Sequence, residues 1–163
     1  MSARGGTRLG PGTGGRQFAY AEHAGSYDRM TAAYQGFRRA IVDALPVGPG
    51  EAVLDVGCGT GLCFGPLLAK VGPHGYVIGI DESPEMVLLA RERVAHAGWP
   101  NVTVVQSRAE DAEIAVTADA ALFCAVHDIL QSPDALWNTV AHLRPGSWWP
   151  QVAASGRHRG WSA

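Results

Sequence analysis

A glycine cluster between two apolar segments is the feature of the sequence with the clearest chemical meaning. Leu54-Asp55-Val56-Gly57-Cys58-Gly59-Thr60-Gly61 continues a β-rich run that starts at Ala52, and it precedes a predicted helix from about Leu62 to Val71. Glycine lets a backbone turn tightly and lets a ligand approach the main chain closely. The cluster therefore predicts a ligand-binding loop that directly follows a strand.

The spacing of these glycines bears on the kind of ligand. A nicotinamide dinucleotide site has the pattern G-x-G-x-x-G, but Leu62 occupies the position of its third glycine. Asp55 adds a carboxylate near the floor of the pocket, where it would repel a pyrophosphate and tolerate an ammonium or sulfonium group. A nicotinamide oxidoreductase is therefore the disfavoured alternative.

Asp81 is the second residue with a chemical signal. It directly follows the predicted strand Tyr76–Ile80. A carboxylate at this position can accept two hydrogen bonds from a ribose diol, or it can be an acidic residue in the turn before a helix. Because Asp81 occurs together with the glycine loop, we favour the ribose role.

Strand and helix patterns alternate along the rest of the chain. Further strands are predicted at 102–105 and 119–126, and helices are predicted to begin at Ser83-Pro84 and Ser132-Pro133. An earlier helix is predicted from the apolar stripe of Met30, Tyr34, Phe37, Ile41 and Leu45. This alternation predicts an α/β, Rossmann-like fold with a mostly parallel sheet, helices on both faces and ligands at the carboxyl edge of the strands.

Length and composition limit the classes of protein. A chain of 163 residues with 47% hydrophobic and 17% charged residues fits one globular domain. We expect a Gly/Arg-rich disordered tail at 1–17, a ligand-binding domain at 18–146, and an irregular segment or partial fifth strand at 147–163. A net charge of −2 gives no electrostatic reason to expect binding to a nucleic-acid backbone, and no apolar run is long enough to span a membrane. Three cysteines without framework spacing suit the cytoplasm.

Five motifs in order resemble those of class I S-adenosylmethionine-dependent methyltransferases. They lie at 55–61, 79–86, 109–111, 119–126 and 143–146, within a resemblance that covers roughly residues 20 to 146. Within that class, the chain is most similar to the type 11 group, which includes enzymes of ubiquinone and menaquinone biosynthesis. The resemblance implies S-adenosylmethionine as cofactor and methyl transfer to an oxygen, carbon or nitrogen atom of a small organic molecule.

The resemblance also implies roles for individual residues. Asp55 and Gly57 would lie near the methionine moiety, Asp81 would bind the ribose hydroxyls, and Ser83 and Met86 would border the adenine. The full cofactor-binding set carried over by position is Tyr27, Asp55, Gly57, Cys58, Gly59, Gly61, Asp81, Glu82, Ser83, Met86, Ala109, Glu110 and Cys124.

Other members of this set bind different parts of the cofactor. Cys124 lies where a main-chain carbonyl usually meets the methionine amino group, and Tyr27 would close over the cofactor. The sequence departs from the family at Arg108, where an Asp often holds the adenine amino group. We expect Ala109 or Glu110 to supply that contact instead.

His127-Asp128 is the candidate for acid–base catalysis. The pair follows the fourth predicted strand at the ligand edge, and histidine titrates near neutral pH. The alternative is a loop histidine that bonds its neighbours or caps the next helix. No metal site is predicted, because Cys58 and Cys63 lie close in sequence without a histidine that completes a zinc pattern.

The C-terminus raises a second functional alternative. The resembled family completes a seven-stranded sheet, whereas only 147–163 follow Gly146 here. We therefore expect either that the C-terminal strands are missing, through truncation or an altered reading frame, or that a partner covers the exposed edge of the sheet. A homo-oligomer is an open alternative. The alternative function is a catalytically impaired S-adenosylmethionine-binding protein without a complete substrate lid.

Overall fold

The computed structural model describes residues 34–146 together with the backbone of 151–153. The predicted tail at 1–17, Met30 and Tyr27 lie outside the described residues. The elements follow one another as α1 (Gln35–Ala44), β1 (Ala52–Val56), α2 (Phe64–Val71), β2 (Tyr76–Asp81), α3 (Pro84–Ala97), β3 (Val102–Gln106), β4 (Ala120–Cys124), α4 (Pro133–Ala141) and β5 (Gln151–Ala153), with 3₁₀ turns at Ala109–Asp111 and Ile129–Gln131.

The five strands form a single sheet in the order β3-β2-β1-β4-β5, and every pair is parallel. The predicted α/β class with a parallel sheet is confirmed. The chain adds β2 and β3 on one side of β1 and then crosses to the other side for β4. A crevice outside the carboxyl ends of β1 and β4 is the expected ligand site in such a sheet.

Each face of the sheet is covered by its own apolar cluster. Along β1, side chains alternate between the faces: Val53 packs with α1, α2 and α3, whereas Leu54 and Val56 belong to the second cluster, which includes Ala135 of α4. Asp55 shares the face of Val53 by the same alternation. Helices therefore cover both faces, as the alternating pattern predicts.

Helix starts follow the predicted capping pattern. The Ser83 hydroxyl accepts a hydrogen bond from the Met86 amide at 3.3 Å, and the Ser132 hydroxyl accepts one from the Ala135 amide at 3.2 Å. Such side-chain caps satisfy amide groups that have no partner within the first helical turn. The two caps fix where α3 and α4 leave the carboxyl edge of the sheet.

Several element boundaries differ from the sequence prediction, including the end of β2 at Asp81 rather than Ile80 and the start of β4 at Ala120 rather than Asp119. Helix α2 begins at Phe64 rather than near Leu62, so Pro66 lies in the first turn, where its missing amide hydrogen disrupts no helical bond. Strand β4 ends at Cys124 rather than Val126, because Ala125 adopts a left-handed φ of 61°. Strand β3 extends one residue further, to Gln106. Among the described helices, none has the length and apolarity needed to cross a membrane.

Candidate functional site

A cavity of about 340 Å³ opens at the carboxyl edge of the sheet. Its volume lies in the range of about 300–1,000 Å³ that is usual for small-molecule sites. Residues from the ends of β1 and β2 and from the segments after β3 and β4 line it. The predicted site residues among them are Gly57, Asp81, Glu82, Ala109, Glu110 and Asp128.

The glycine loop turns back across the end of β2. The amides of Gly57 and Cys58 both donate to the Ile80 carbonyl, at 2.8 and 3.0 Å. Gly57 has a left-handed φ of 72°, and a Cβ at this position would overlap Val126 and lie 2.9 Å from Ile129 Cδ1. Both the backbone conformation and the close packing therefore require glycine at this position.

Asp81 connects the glycine loop to α3 while facing the cavity. Its Oδ2 accepts from the Gly59 amide at 2.8 Å, and its Oδ1 accepts from the Ser83 amide at 3.0 Å. Each carboxylate oxygen has about two lone-pair sites, so one site on each oxygen is left for a ligand hydroxyl. Asp81 can thus hold the loop in shape and bind a diol at the same time.

The 3₁₀ turn at Ala109–Asp111 forms another wall of the cavity. Asn138 of α4 donates through its side-chain amide to the carbonyls of Ala109 and Ala112, at 2.8 and 3.0 Å. Arg108 and Glu110 form an ion pair, and both line the cavity. A residue outside the cavity, Asn138, therefore holds the turn that carries the expected adenine contacts.

Apolar side chains complete the cavity wall. Ile80, Ala109, Val126 and Ile129 all line it. The sequence pattern does not single out Val126 or Ile129, because the apolar run after Asp119 predicts one continuous strand. Ser107 and Ser132, which also line the cavity, carried no separate signal beyond their positions at element ends.

Asp55 is buried without a hydrogen-bond partner at the end of the central strand. Its side chain is 1% exposed, and neither carboxyl oxygen has a partner. Burial, and to a smaller extent the negative charges of Cys124 and Asp81, together raise the pKa of Asp55 from 3.8 to about 8. A buried polar group without a partner is rare in folded proteins. A cationic group against Asp55 would lower this pKa and supply the missing partner.

Cys124 and Cys63 lie on the same face of the sheet as Asp55. The interaction of Cys124 with Cys63 lowers the pKa of the Cys124 thiol, burial opposes this effect, and the Arg38 charge lowers the pKa further. The same interaction and then burial raise the pKa of Cys63. Burial also raises the pKa of Cys58.

The structure does not bring all predicted site residues to the cavity. His127 is exposed and is not part of the cavity wall, whereas the adjacent Asp128 is. Tyr27 lies outside the described residues. The other predicted residues that do not line the cavity are Asp55, Cys58, Gly59, Gly61, Ser83, Met86 and Cys124. Within residues 34–146, no group of three potential ligands could hold a metal ion.

Comparison with known sequences assigns most of this region to one family. Residues 53–146 match the family described as "Methyltransferase domain". An aklanonic acid methyltransferase of Streptomyces sp. (strain C5) is 37% identical over 93 residues, which cover 56% of this chain and 42% of that protein. A demethylmenaquinone methyltransferase of Listeria monocytogenes is 34% identical over 89 residues, which cover 52% of this chain and 38% of that protein. The chain thus spans less than half the length of these curated relatives.

A solved structure shares the fold. The crystal structure of a SAM-dependent methyltransferase from Aquifex aeolicus superposes with a TM-score of 0.59 and 29% sequence identity. The superposition covers 66% of this chain and 58% of that chain.

Proposed function

Because the chain belongs to the class I S-adenosylmethionine-dependent methyltransferases, we propose that it binds S-adenosylmethionine and transfers a methyl group to an oxygen, carbon or nitrogen atom of a small organic molecule. The observation that carries the proposal is the pair of carboxyl groups on either side of the glycine loop. Asp81 opens onto the cavity, and Asp55 is buried without a partner.

The cavity suits the nucleoside half of this cofactor. The free lone-pair sites of Asp81 can accept the two ribose hydroxyls. Ile80, Ala109, Val126 and Ile129 provide an apolar surface on which an adenine ring can pack. Glu110 lies beside Ala109 and offers a carboxylate to the adenine amino group.

Asp55 suits the cationic half. The cofactor carries an ammonium and a sulfonium group, and a pyrophosphate-bearing dinucleotide carries neither. A positive charge close to Asp55 lowers the pKa of its carboxyl group, so that the carboxylate ionises, and it supplies the partner that this group lacks. Gly59, with a positive φ of 55° and open space where a Cβ would lie, leaves the main chain open to close approach between the two carboxyl groups.

The chemical step needs orientation more than acid–base machinery. S-adenosylmethionine, when bound, supplies an electrophilic methyl group on its sulfonium. The residues of this chain hold the ends of the cofactor and exclude water, and orientation of this kind can contribute about 7–11 kcal/mol. The two curated relatives named above act, by their names, on aklanonic acid and demethylmenaquinone, which supports a small-molecule acceptor.

His127 and Asp128 remain the proposed acid–base pair for acceptors that must lose a proton. Asp128 is on the cavity wall, and His127 is exposed immediately beside it. We expect His127→Ala to lower turnover of a hydroxyl acceptor by about 10²–10⁴-fold while leaving cofactor affinity unchanged. Unchanged turnover in a panel of phenol and carboxylic acid acceptors would remove His127 from the mechanism.

We also propose a cytoplasmic location for the protein. All three cysteines of the chain are free thiols in the structure. Free thiols persist in a reducing compartment, whereas secreted proteins tend to pair their cysteines.

Calorimetry with S-adenosylmethionine and S-adenosylhomocysteine tests the cofactor site. We expect Asp81→Ala to weaken binding by about tenfold or more, equivalent to about 1.4 kcal/mol. Asp43→Ala, which removes an exposed carboxylate from α1 outside the cavity, is the matched control and should bind like the wild type. NAD should not compete.

Two outcomes of this calorimetry would count against the proposal. A folded wild-type protein that binds neither ligand rejects the cofactor assignment. Equal losses of affinity in Asp81→Ala and Asp43→Ala would reject a specific role for Asp81. Circular dichroism spectra of all three proteins distinguish lost binding from lost folding.

A further inference from the structure

A second cavity opens at the far end of the glycine loop. Its volume is about 360 Å³, which lies within the range of about 300–1,000 Å³ that is usual for small-molecule sites. Gly57, at the start of the loop, lines the first cavity, whereas Leu62, directly after Gly61, lines the second. The described residues that line the second cavity are Gln35, Gly36, Arg38, Arg39, Leu62 and Pro66. None of them lines the first cavity, so the nucleoside half of the cofactor does not use this space.

Helices α1 and α2 run side by side and form the second cavity. Lys70, in the last turn of α2, donates through its ammonium group to the carbonyls of Val42, Asp43 and Leu45 at the end of α1. The two helices therefore end together. Their starts meet at the carboxyl edge of the sheet, where α2 follows the glycine loop, and the cavity lies between these starts.

The α1 wall of this cavity is cationic. Arg38 and Arg39 both line it, and Arg38 is half-buried whereas Arg39 is exposed. Among the described residues, no acidic side chain lines the cavity, and Asp43, the nearest acidic residue along α1, is exposed outside it. Two neighbouring guanidinium groups repel each other, and an anion between them turns this repulsion into attraction. The planar donor fork of arginine suits a carboxylate in particular.

The α2 wall of the cavity is apolar. Leu62 and Pro66 contribute it, and both are half-buried. A ligand that satisfies both walls has an anionic group for the arginines and an apolar body for Leu62 and Pro66. Inorganic anions lack the body, and neutral hydrocarbons lack the charge.

We propose that this cavity binds the methyl acceptor and selects small organic acids, whose carboxylate pairs with Arg38 and Arg39 while the apolar body packs on Leu62 and Pro66. The role as acceptor site rests on the function proposed above, whereas the binding of an acid does not. An acid in this cavity lies beside one end of the glycine loop, and the other end of that loop lines the cofactor cavity. Its negative charge also complements a cationic cofactor.

Calorimetry of the full chain with 2-naphthoate and 2-naphthamide tests the choice of an acid. The two probes share one ring system and differ in charge. We expect the acid to bind about tenfold or more tightly than the amide, both with and without saturating S-adenosylhomocysteine. The preference should shrink as the ionic strength rises, because salt screens the attraction to the arginines.

Substitutions at the two arginines test the site itself. Arg38→Gln and Arg39→Gln should each weaken 2-naphthoate binding about tenfold and leave 2-naphthamide binding within about twofold. Arg39→Lys, which keeps the charge without the fork, should lose less affinity than Arg39→Gln. Arg91→Gln is the matched control, because it removes the same charge from an exposed position of α3 that lines neither cavity. Arg39 is exposed, so its variants test the charge without disturbing the core.

Three results would overturn the acid site. They are equal affinities for the acid and the amide, an equal loss of acid binding in Arg91→Gln, and displacement of S-adenosylhomocysteine by 2-naphthoate. A protein that binds S-adenosylhomocysteine but not 2-naphthoate also rejects the acid site, and it leaves the proposed function intact. A protein that binds 2-naphthoate at the arginines but not S-adenosylhomocysteine rejects the acceptor role together with the proposed function, and the cavity then stands as an acid-binding site alone.

Discussion

Replacing Asp55 with asparagine should make the cofactor-free protein more stable at neutral pH. The Asp55 carboxyl is buried without a partner, and its pKa is raised from 3.8 to about 8. At neutral pH the folded protein must therefore hold a proton that the unfolded chain releases. Asparagine has nearly the same shape and never ionises, so Asp55→Asn removes this cost.

The sign and size of the effect follow from the two pKa values. For an acid whose pKa is raised by folding, stability is fully present below the unfolded pKa and is lost as pH rises toward the folded pKa. Each pH unit in that window corresponds to 1.36 kcal/mol. Between pH 3.8 and pH 7 the free energy of unfolding of the wild type falls by about 4 kcal/mol. This is a large share of the free energy of unfolding of a typical domain, which is about 5–15 kcal/mol.

Urea unfolding of both proteins at about pH 5 and about pH 7.5 measures the effect. We expect the stability advantage of Asp55→Asn to grow by about 3 kcal/mol between these values. The difference between the free energies of unfolding of the two proteins at each pH cancels the contributions of the other titrating groups. Asp43→Asn, at an exposed position of α1, should show no such growth. An advantage that is constant or shrinks as pH rises would refute the reasoning.

The same variant should lose cofactor affinity. If Asp55 meets the cationic half of S-adenosylmethionine, a neutral amide cannot provide the attraction. Opposite effects on stability and binding are expected where a site keeps a destabilising group for its function. Wild-type affinity in Asp55→Asn would contradict the proposed contact while leaving the stability result intact.

Two further substitutions test how the site is held in place. Gly57→Ala should destabilise the fold by about 1–3 kcal/mol and weaken cofactor binding, because it adds strain at φ 72° and a clash with Val126. Thermal unfolding measures the loss of stability, with Gly48→Ala as the control, because a Cβ at Gly48 has open space. Equal destabilisation in the two variants would contradict the prediction. Asn138→Ala should lower the free energy of unfolding by about 1–3 kcal/mol and weaken nucleoside binding, because two turn carbonyls lose their donor. Calorimetry with adenosine measures the affinity, with Asp134→Ala, at an exposed position, as the control. Unchanged affinity in Asn138→Ala would reject the positioning role.

Local signals were sufficient to predict the elements and part of the site. The Ser83 and Ser132 caps, the glycine loop and the position of Asp81 all depend on residues within a few positions of one another. The alternation of apolar runs was enough for the parallel sheet, and parallel strands bring their carboxyl ends to one edge. For that reason the sequence alone predicts Gly57, Asp81 and Ala109 at one ligand site, and all three line the cavity.

Other features of the site depend on single backbone or side-chain conformations. The apolar run after Asp119 predicts one strand to Val126, but the left-handed Ala125 ends the strand and directs Val126 and Ile129 onto Gly57. Arg108 carries no sequence signal for its ion pair with Glu110. The end of β4 depends on how Val126 and Ile129 pack against Gly57, which no local pattern specifies.

The sequence by itself determined the order of strands and helices, the helix caps and a glycine loop whose spacing differs from that of a dinucleotide site. Each of these follows from residue types and spacings that act within one element. Only the tertiary structure decided that Asp55 lacks a partner and that Asn138 holds the turn after β3. These contacts join residues far apart in the chain, and their geometry arises only when helices pack on both faces of the completed sheet.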